Sequence, residues 1–255
     1  MHIIRHHSHT QKSAKIYGWG ALVLLAAVLI LSFVNRTLAS IPLLLFCIFG
    51  FQFLKEVLIP GAERWITGHM GERRVLTVLR DLPDTYVAVT NFVVPGSERG
   101  DIDLILIGPM GFLAMEIKTY EGMILFENGR WWKRQKNGWK TRLKKNPSVQ
   151  AKGHRKALIG YWKAYIGFLP QDRDQYAVLS KLYMPIVPVL VFVGADGLET
   201  GSLDMAAVRV GDLLDYVRSL PPRLTENQVE NVAGIFATDK PVSARQGAGY
   251  NVRHP

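Results

Sequence analysis

The chain has 255 residues, 48% of them hydrophobic, and carries 31 Lys+Arg against 21 Asp+Glu, a net charge of +10. That apolar content excludes a disordered chain, and the single cysteine, Cys47, excludes a disulfide-stapled domain. The basic balance favours an anionic partner, either nucleic acid or a phospholipid surface.

Residues 1–54 hold four cations (Arg5, Lys12, Lys15, Arg36) and no acid. Residues 1–15 read as a basic, His-rich cytoplasmic tail, with His2, His6, His7 and His9 solvated. Two uncharged runs follow, residues 16–35 and 37–54. About 20 apolar residues in a helix span a hydrocarbon core of ~30 Å, so residues 16–54 are expected to form a two-helix transmembrane hairpin in contact with the lipid bilayer. Arg5, Lys12 and Lys15 precede it, Lys55, Arg64, Arg73 and Arg74 follow it, and the connection holds only Arg36. The positive-inside rule then places both termini in the cytoplasm. A cleaved signal peptide would leave the second apolar run unexplained.

Residues 55–63 read as a linker, 64–240 as one mixed α/β domain and 241–255 as a flexible tail. A helical period over residues 66–82 ends at Pro83. Strands are expected at 85–94, 102–107 and 112–118, with a turn at Gly108–Gly111, and at 123–126 and 130–133 around the Asn128-Gly129 hairpin signal. A helix should open at Asn146-Pro147 and run to about residue 169. The apolar run 184–193 suits a central strand. Residues 208–210 form a short strand before an amphipathic segment to Leu220. The capping box Thr225–Gln228, with Leu224 and Val229 as its staple, opens a last helix.

Chemistry concentrates on the 102–118 hairpin. If Gly108 faces Gly111, paired numbers sum to 219, which sets Asp103 opposite Glu116 and Asp101 opposite Lys118, all on one face. Opposed carboxylates repel, and burial worsens the repulsion. A divalent cation or a shared proton would offset it. Oxygen ligands from a few carboxylates, completed by water and phosphate, suit Mg²⁺ or Mn²⁺, and Lys118 could hold an attacking water or stabilise phosphate charge. Structural salt bridges to Lys118 are the alternative. Glu72 lies on the apolar face of its helix, where a carboxylate needs a partner. Gln150, one turn into the Asn146 helix, could hydrogen-bond a metal water or phosphate. Cys47 lies in a membrane run, the histidines lack a zinc spacing, and no phosphate-binding loop is present, so no small-molecule cofactor is expected.

Gly71-Glu72, Asp101-Ile-Asp103, Gly111-Phe-Leu-Ala-Met-Glu116-Ile-Lys118, Gly122 and Asn146-Pro-Ser-Val-Gln150 together resemble the NERD (nuclease-related) domain, over about residues 64–238. That family is placed in the PD-(D/E)XK superfamily. The resemblance implies a restriction-endonuclease-like mixed sheet flanked by helices, with Asp103 and Glu116 as metal ligands, Lys118 as catalytic lysine, and Glu72 and Gln150 completing the catalytic set.

Residues 128–171 contain 12 cations, four tryptophans and no acid. Arg130, Lys133, Arg134, Lys140, Arg142, Lys144, Lys145, Lys152 and Arg155 are candidate nucleic-acid contacts, and exposed aromatics there could stack on bases. Trp131 or Trp132 should face the core, as should Trp162. Three functions fit: a membrane-anchored, metal-dependent nuclease with DNA ahead of RNA as substrate; a tethered nucleic-acid-binding or sensor module without cleavage; or a structural membrane protein whose basic face reads lipid.

Overall fold

The computed structural model describes residues 1–5, 59–97, 100–167 and 185–236. The expected membrane hairpin and the 241–255 tail lie outside these residues. Among the described residues, no helix is long and apolar enough to cross a membrane. The chain divides into two compact units, Met1–His6 with Gly71–Pro255, and His7–Met70.

In chain order the elements are β1 (His2–Arg5), α1 (Ile59–Leu79), β2 (Val87–Val93), β3 (Asp101–Gly108), β4 (Gly111–Glu127), β5 (Arg130–Arg134), β6 (Lys140–Arg142), α2 (Pro147–Gly167), β7 (Ile186–Glu199), β8 (Ala206–Arg209), a 3-10 turn (Val210–Asp212), α3 (Leu213–Ser219) and α4 (Glu226–Ala233). All eight strands join one mixed sheet. β2–β3 and β3–β4 are antiparallel, whereas β7 runs parallel to β4 and β8. β4 is the spine. Its first half pairs with β3 and its second half with β5 on one edge, while β7 follows the other edge.

Two apolar layers sandwich the sheet. On one face Ile105, Ile107, Phe112 and Ala114 pack with Leu158 and Trp162 of α2 and Val229 and Val232 of α4. On the other, Leu104, Leu106, Leu113 and Met115 pack with Val75 and Leu79 of α1 and Leu213 and Val217 of α3. A third cluster joins Ile124, Trp131, Leu190 and Phe192 to Ala151 near the start of α2. This is the helix-flanked mixed sheet expected from the sequence.

Several local expectations change. Residues 2–5 are not tail but a strand paired parallel with β2, His2 against Val87 through Arg5 against Thr90. α1 begins at Ile59, inside the stretch read as linker. The strands expected at 112–118 and 123–126 are one strand: Gly122 adopts φ +87, and its register against β7 shifts there without ending the pairing. β6 is wholly exposed and carries no alternation, so it left no hydrophobic signal.

Other expectations match. Asn146 caps α2 by accepting the Ser148 N–H at 3.0 Å. Thr225 and Gln228 form the capping box of α4, with Leu224 and Val229 buried beside it. Trp131 is 2% exposed and its indole N–H donates to the buried Ser148 hydroxyl at 2.7 Å, tying β5 to the first turn of α2. Ser148→Ala should therefore strand a buried donor and cost about 1–3 kcal/mol, read as a shift in the urea midpoint with an unchanged slope.

Candidate active site and basic surface

The paired residues of β3 and β4 sum to 219, as expected, from Gly108/Gly111 to Leu104/Met115, where the ladder ends. One step beyond, Asp103 and Glu116 do not continue it. The Asp103 carboxylate instead accepts the backbone N–H of Ile117 at 2.7 Å. A side chain has replaced a backbone acceptor, and the two strands part around it.

The break has a cause in β2. Asn91 has φ +54 and lies between Thr90, which pairs with Leu104, and Phe92, which pairs with Ile102. A left-handed residue interrupts strand alternation. Val87 and Val89 face α2 and α4; strict alternation would send Phe92 the other way, yet Phe92 and Ile102 pack in that same layer. Asp103, Glu116 and Lys118 still come together as expected, but Asp101 does not join them. Asp101 pairs with Val93 and couples to Glu72 instead of Lys118.

Glu116 is fully buried. One oxygen is held by the Lys118 ammonium, two residues along the same strand face. The other lies 3.1 Å from Nδ1 of His154, itself 2% exposed, on α2. Glu72 approaches from the α1 side, where Gly71 packs so closely on β4 that a Cβ would collide with Thr119 Oγ1. The absence of a side chain at 71 is what seats Glu72 there. Glu72 also hydrogen-bonds the Asn91 side chain. Asp103 feels both Glu116 and Glu72, at the point where β3 and β4 separate.

Charge in this cluster is unbalanced. Burial, then the charge of Asp101, raises Glu72 to about 7 despite the Asn91 hydrogen bond. Burial and then Glu116 push Asp103 well above the usual carboxylate range, against the pull of Lys118 and the Ile117 N–H. For Lys118, burial alone would lower the pKa, but the charges of Glu116 and Asp103 and the hydrogen bond to Glu116 outweigh it and raise it. Among the described residues, no three His, Cys, Asp or Glu side chains group closely enough to hold a metal by themselves.

Gln150 lines an open cleft of about 450 Å³ with Lys145, Asn146, Val149 and His154. It stands one helical turn before His154, the residue that reaches Glu116. His154 and Asn91 are the two site residues the sequence reading did not single out. The four-residue spacing from Gln150 placed His154 on a shared helix face; nothing local marked Asn91, whose conformation appears only in the fold.

The acid-free window is less bare in three dimensions. Lys140 pairs with Glu127 at 2.9 Å, Lys152 with Asp204 at 2.6 Å and Arg134 with Glu199 at 3.6 Å, acids supplied from outside residues 128–171. Arg155 donates to the Ile186 carbonyl at 2.8 Å. Arg130, Arg142, Lys144 and Lys145 are exposed and Lys133 is half-buried. Trp131 and Trp162 belong to the core; Trp139 is 69% exposed.

A mixed sheet flanked by helices, with one buried carboxylate, two half-buried ones and a lysine where two strands part, is consistent with a nuclease-like α/β domain. Residues 67–193 match the nuclease-related domain, NERD. The match runs from within α1 to within β7 and includes Glu72, Asp103, Glu116, Lys118, Gln150 and His154. No curated protein and no solved structure matches the chain.

The raised Glu72 pKa sets a pH dependence of stability. A carboxyl lifted from 4.5 to about 7 favours folding fully below pH 4.5, and that contribution is lost as pH rises to about 7. In chelator, Glu72→Gln should remove this decline and raise stability at pH 8 by on the order of 2 kcal/mol. Urea unfolding at pH 4.5 and pH 8 checks it; an unaltered decline in the variant would contradict the assignment.

Proposed function

We propose that the protein is a membrane-anchored, metal-dependent nuclease that hydrolyses phosphodiester bonds of nucleic acid at the cytoplasmic face. The observation that carries this reading is the excess of carboxylate over cation at the β3–β4 split, with Glu116 buried and Glu72 and Asp103 half-buried. Asp103 and Glu116 share one cation, Lys118, Glu72 acts on Asp103, and both Glu72 and Asp103 have pKa values raised out of the normal carboxylate range. Such a set is destabilising by itself and fits a divalent cation. The nuclease-related match supports the reaction class and nucleic acid as partner. The uncharged runs 16–35 and 37–54 with their basic flanks support the anchor.

Asp103 and Glu116 would hold the cation, Mg²⁺ or Mn²⁺, with water and phosphate oxygens completing its shell. A bound cation supplies Lewis acidity and lowers the pKa of its water. Lys118 holds one oxygen of Glu116 in place, and His154 lies beside the other. Lys118 also faces Asp103, and a phosphate entering there would meet its ammonium as charge develops on the oxygens. Water attacks phosphorus, the ester oxygen leaves with its bonding electrons, and a proton returns to it. Gln150 lies in the cleft by which a strand would enter, and Glu72 borders Asp103 on the α1 side.

The contact between Lys118 and Glu116 favours a second reading, in which Lys118 serves only as counter-ion and the domain binds nucleic acid without cutting it. The full-length protein in detergent, incubated with single- and double-stranded DNA and RNA, separates the two. Cleavage is expected with Mg²⁺ or Mn²⁺ and not with EDTA, and Glu116→Ala or Lys118→Ala should lower it about a hundredfold or more. Binding without turnover would select the second reading.

A further inference from the structure

We propose that the β5–β6 hairpin is a stacking platform for unpaired bases, so that single-stranded nucleic acid is the preferred ligand. This rests on nucleic acid being the partner and deepens that reading. Trp139 is the most exposed large apolar side chain among the described residues, at 69%. An indole left in water is an unused contact area unless a flat partner covers it.

Its backbone is ordered. The Gln135 N–H donates to the Trp139 carbonyl at 3.0 Å, the Gly138 N–H to Gln135 at 2.9 Å, and the Trp139 N–H to the Asn137 side chain at 3.1 Å. Gly138 adopts φ +84, which only a residue without Cβ takes easily. The ring is presented on a fixed turn, so little entropy is lost when it is covered.

The surroundings are cationic. Arg134 lies directly opposite Lys140, and Trp132 directly opposite Arg142, across the β5–β6 ladder. Two like charges placed in register repel. Glu199 and Glu127 compensate Arg134 and Lys140, while Arg142 is exposed beside half-buried Trp132. Alternating aromatic and cationic groups suit a chain of alternating bases and phosphates. A duplex hides its base faces in the stack; an unpaired strand offers them. The path also leads to the site. The Leu143 N–H donates to the Trp131 carbonyl at 2.9 Å, and the next residues, Lys144 and Lys145, bring the chain to the cleft shared by Gln150 and His154.

The test uses the full-length protein in detergent with EDTA, so that binding is measured without turnover. Probes are a fluorescent oligothymidine strand, a duplex of equal length, and phosphatidylglycerol vesicles. The wild type should bind the single strand more tightly than the duplex. Trp139→Ala should weaken single-strand binding about tenfold, the effect of losing one stacked base, with duplex binding unchanged, and Trp139→Phe should retain most of the affinity. Equal single-strand binding by Trp139→Ala, or a preference for duplex, overturns the inference. So does loss of vesicle binding alone in that variant, which would make the hairpin a lipid contact. Metal-dependent cleavage abolished by Glu116→Ala but indifferent to Trp139 would leave the nuclease reading standing without this one. The reverse pattern, stacking without cleavage, would leave this inference standing alone.

Discussion

A fully buried glutamate is the constraint around which the domain is arranged. An ionised carboxylate taken out of water costs several kcal/mol unless charge and hydrogen bonds compensate it. Lys118, on the same strand, bonds one oxygen of Glu116, and the other lies 3.1 Å from Nδ1 of His154 on α2. Both must be delivered to the correct face. β4 therefore has to run straight through the position, flanked by its parallel ladder with β7, and α2 has to sit in one rotation. The indole of Trp131 bonded to Ser148, two residues before Gln150 and six before His154, helps fix that rotation.

The second constraint is the split between β3 and β4. A regular sheet would have saturated the Ile117 N–H with a backbone carbonyl and sent Asp103 to one face. Left-handed Asn91 lets the alternation reset, so an apolar neighbour, Ile102, turns into the α2 and α4 layer while Leu104 remains in the other. Asp103 accepts the Ile117 N–H and feels the charges of Glu116 and Glu72. Asn is among the few residues that tolerate this backbone, and its side chain is also used, on Glu72.

Much of this was legible in the sequence because it depended on local rules. The two glycines at 108 and 111 determined a hairpin whose register followed by counting. Asn146-Pro147 and Thr225–Gln228 marked helix starts through backbone hydrogen bonding. The alternation of aliphatics placed β3, β4 and β7 near the core. What escaped was long-range or lacked pattern. His2–Arg5 is a short strand whose partner lies more than eighty residues away, and β6 has no buried side chain to announce it. The face switch at Asn91 needed a dihedral angle that residue type permits but does not demand. The window of unopposed cations looked purer in one dimension than in three, because Glu127, Glu199 and Asp204 fold back onto it. His154 had the right spacing from Gln150, but its role exists only because Glu116 lies beneath it.

The pairing of β1 with β2 has a topological consequence. Residues up to His6 and residues from Gly71 onward belong to the same compact unit, and the parallel ladder from His2 to Arg5 stitches the start of the chain into the sheet. β1 is the end strand of the sheet path, so four residues at the start of the chain cover the edge that β2 would otherwise leave open. A change that loosened them would bare that edge for pairing with another strand.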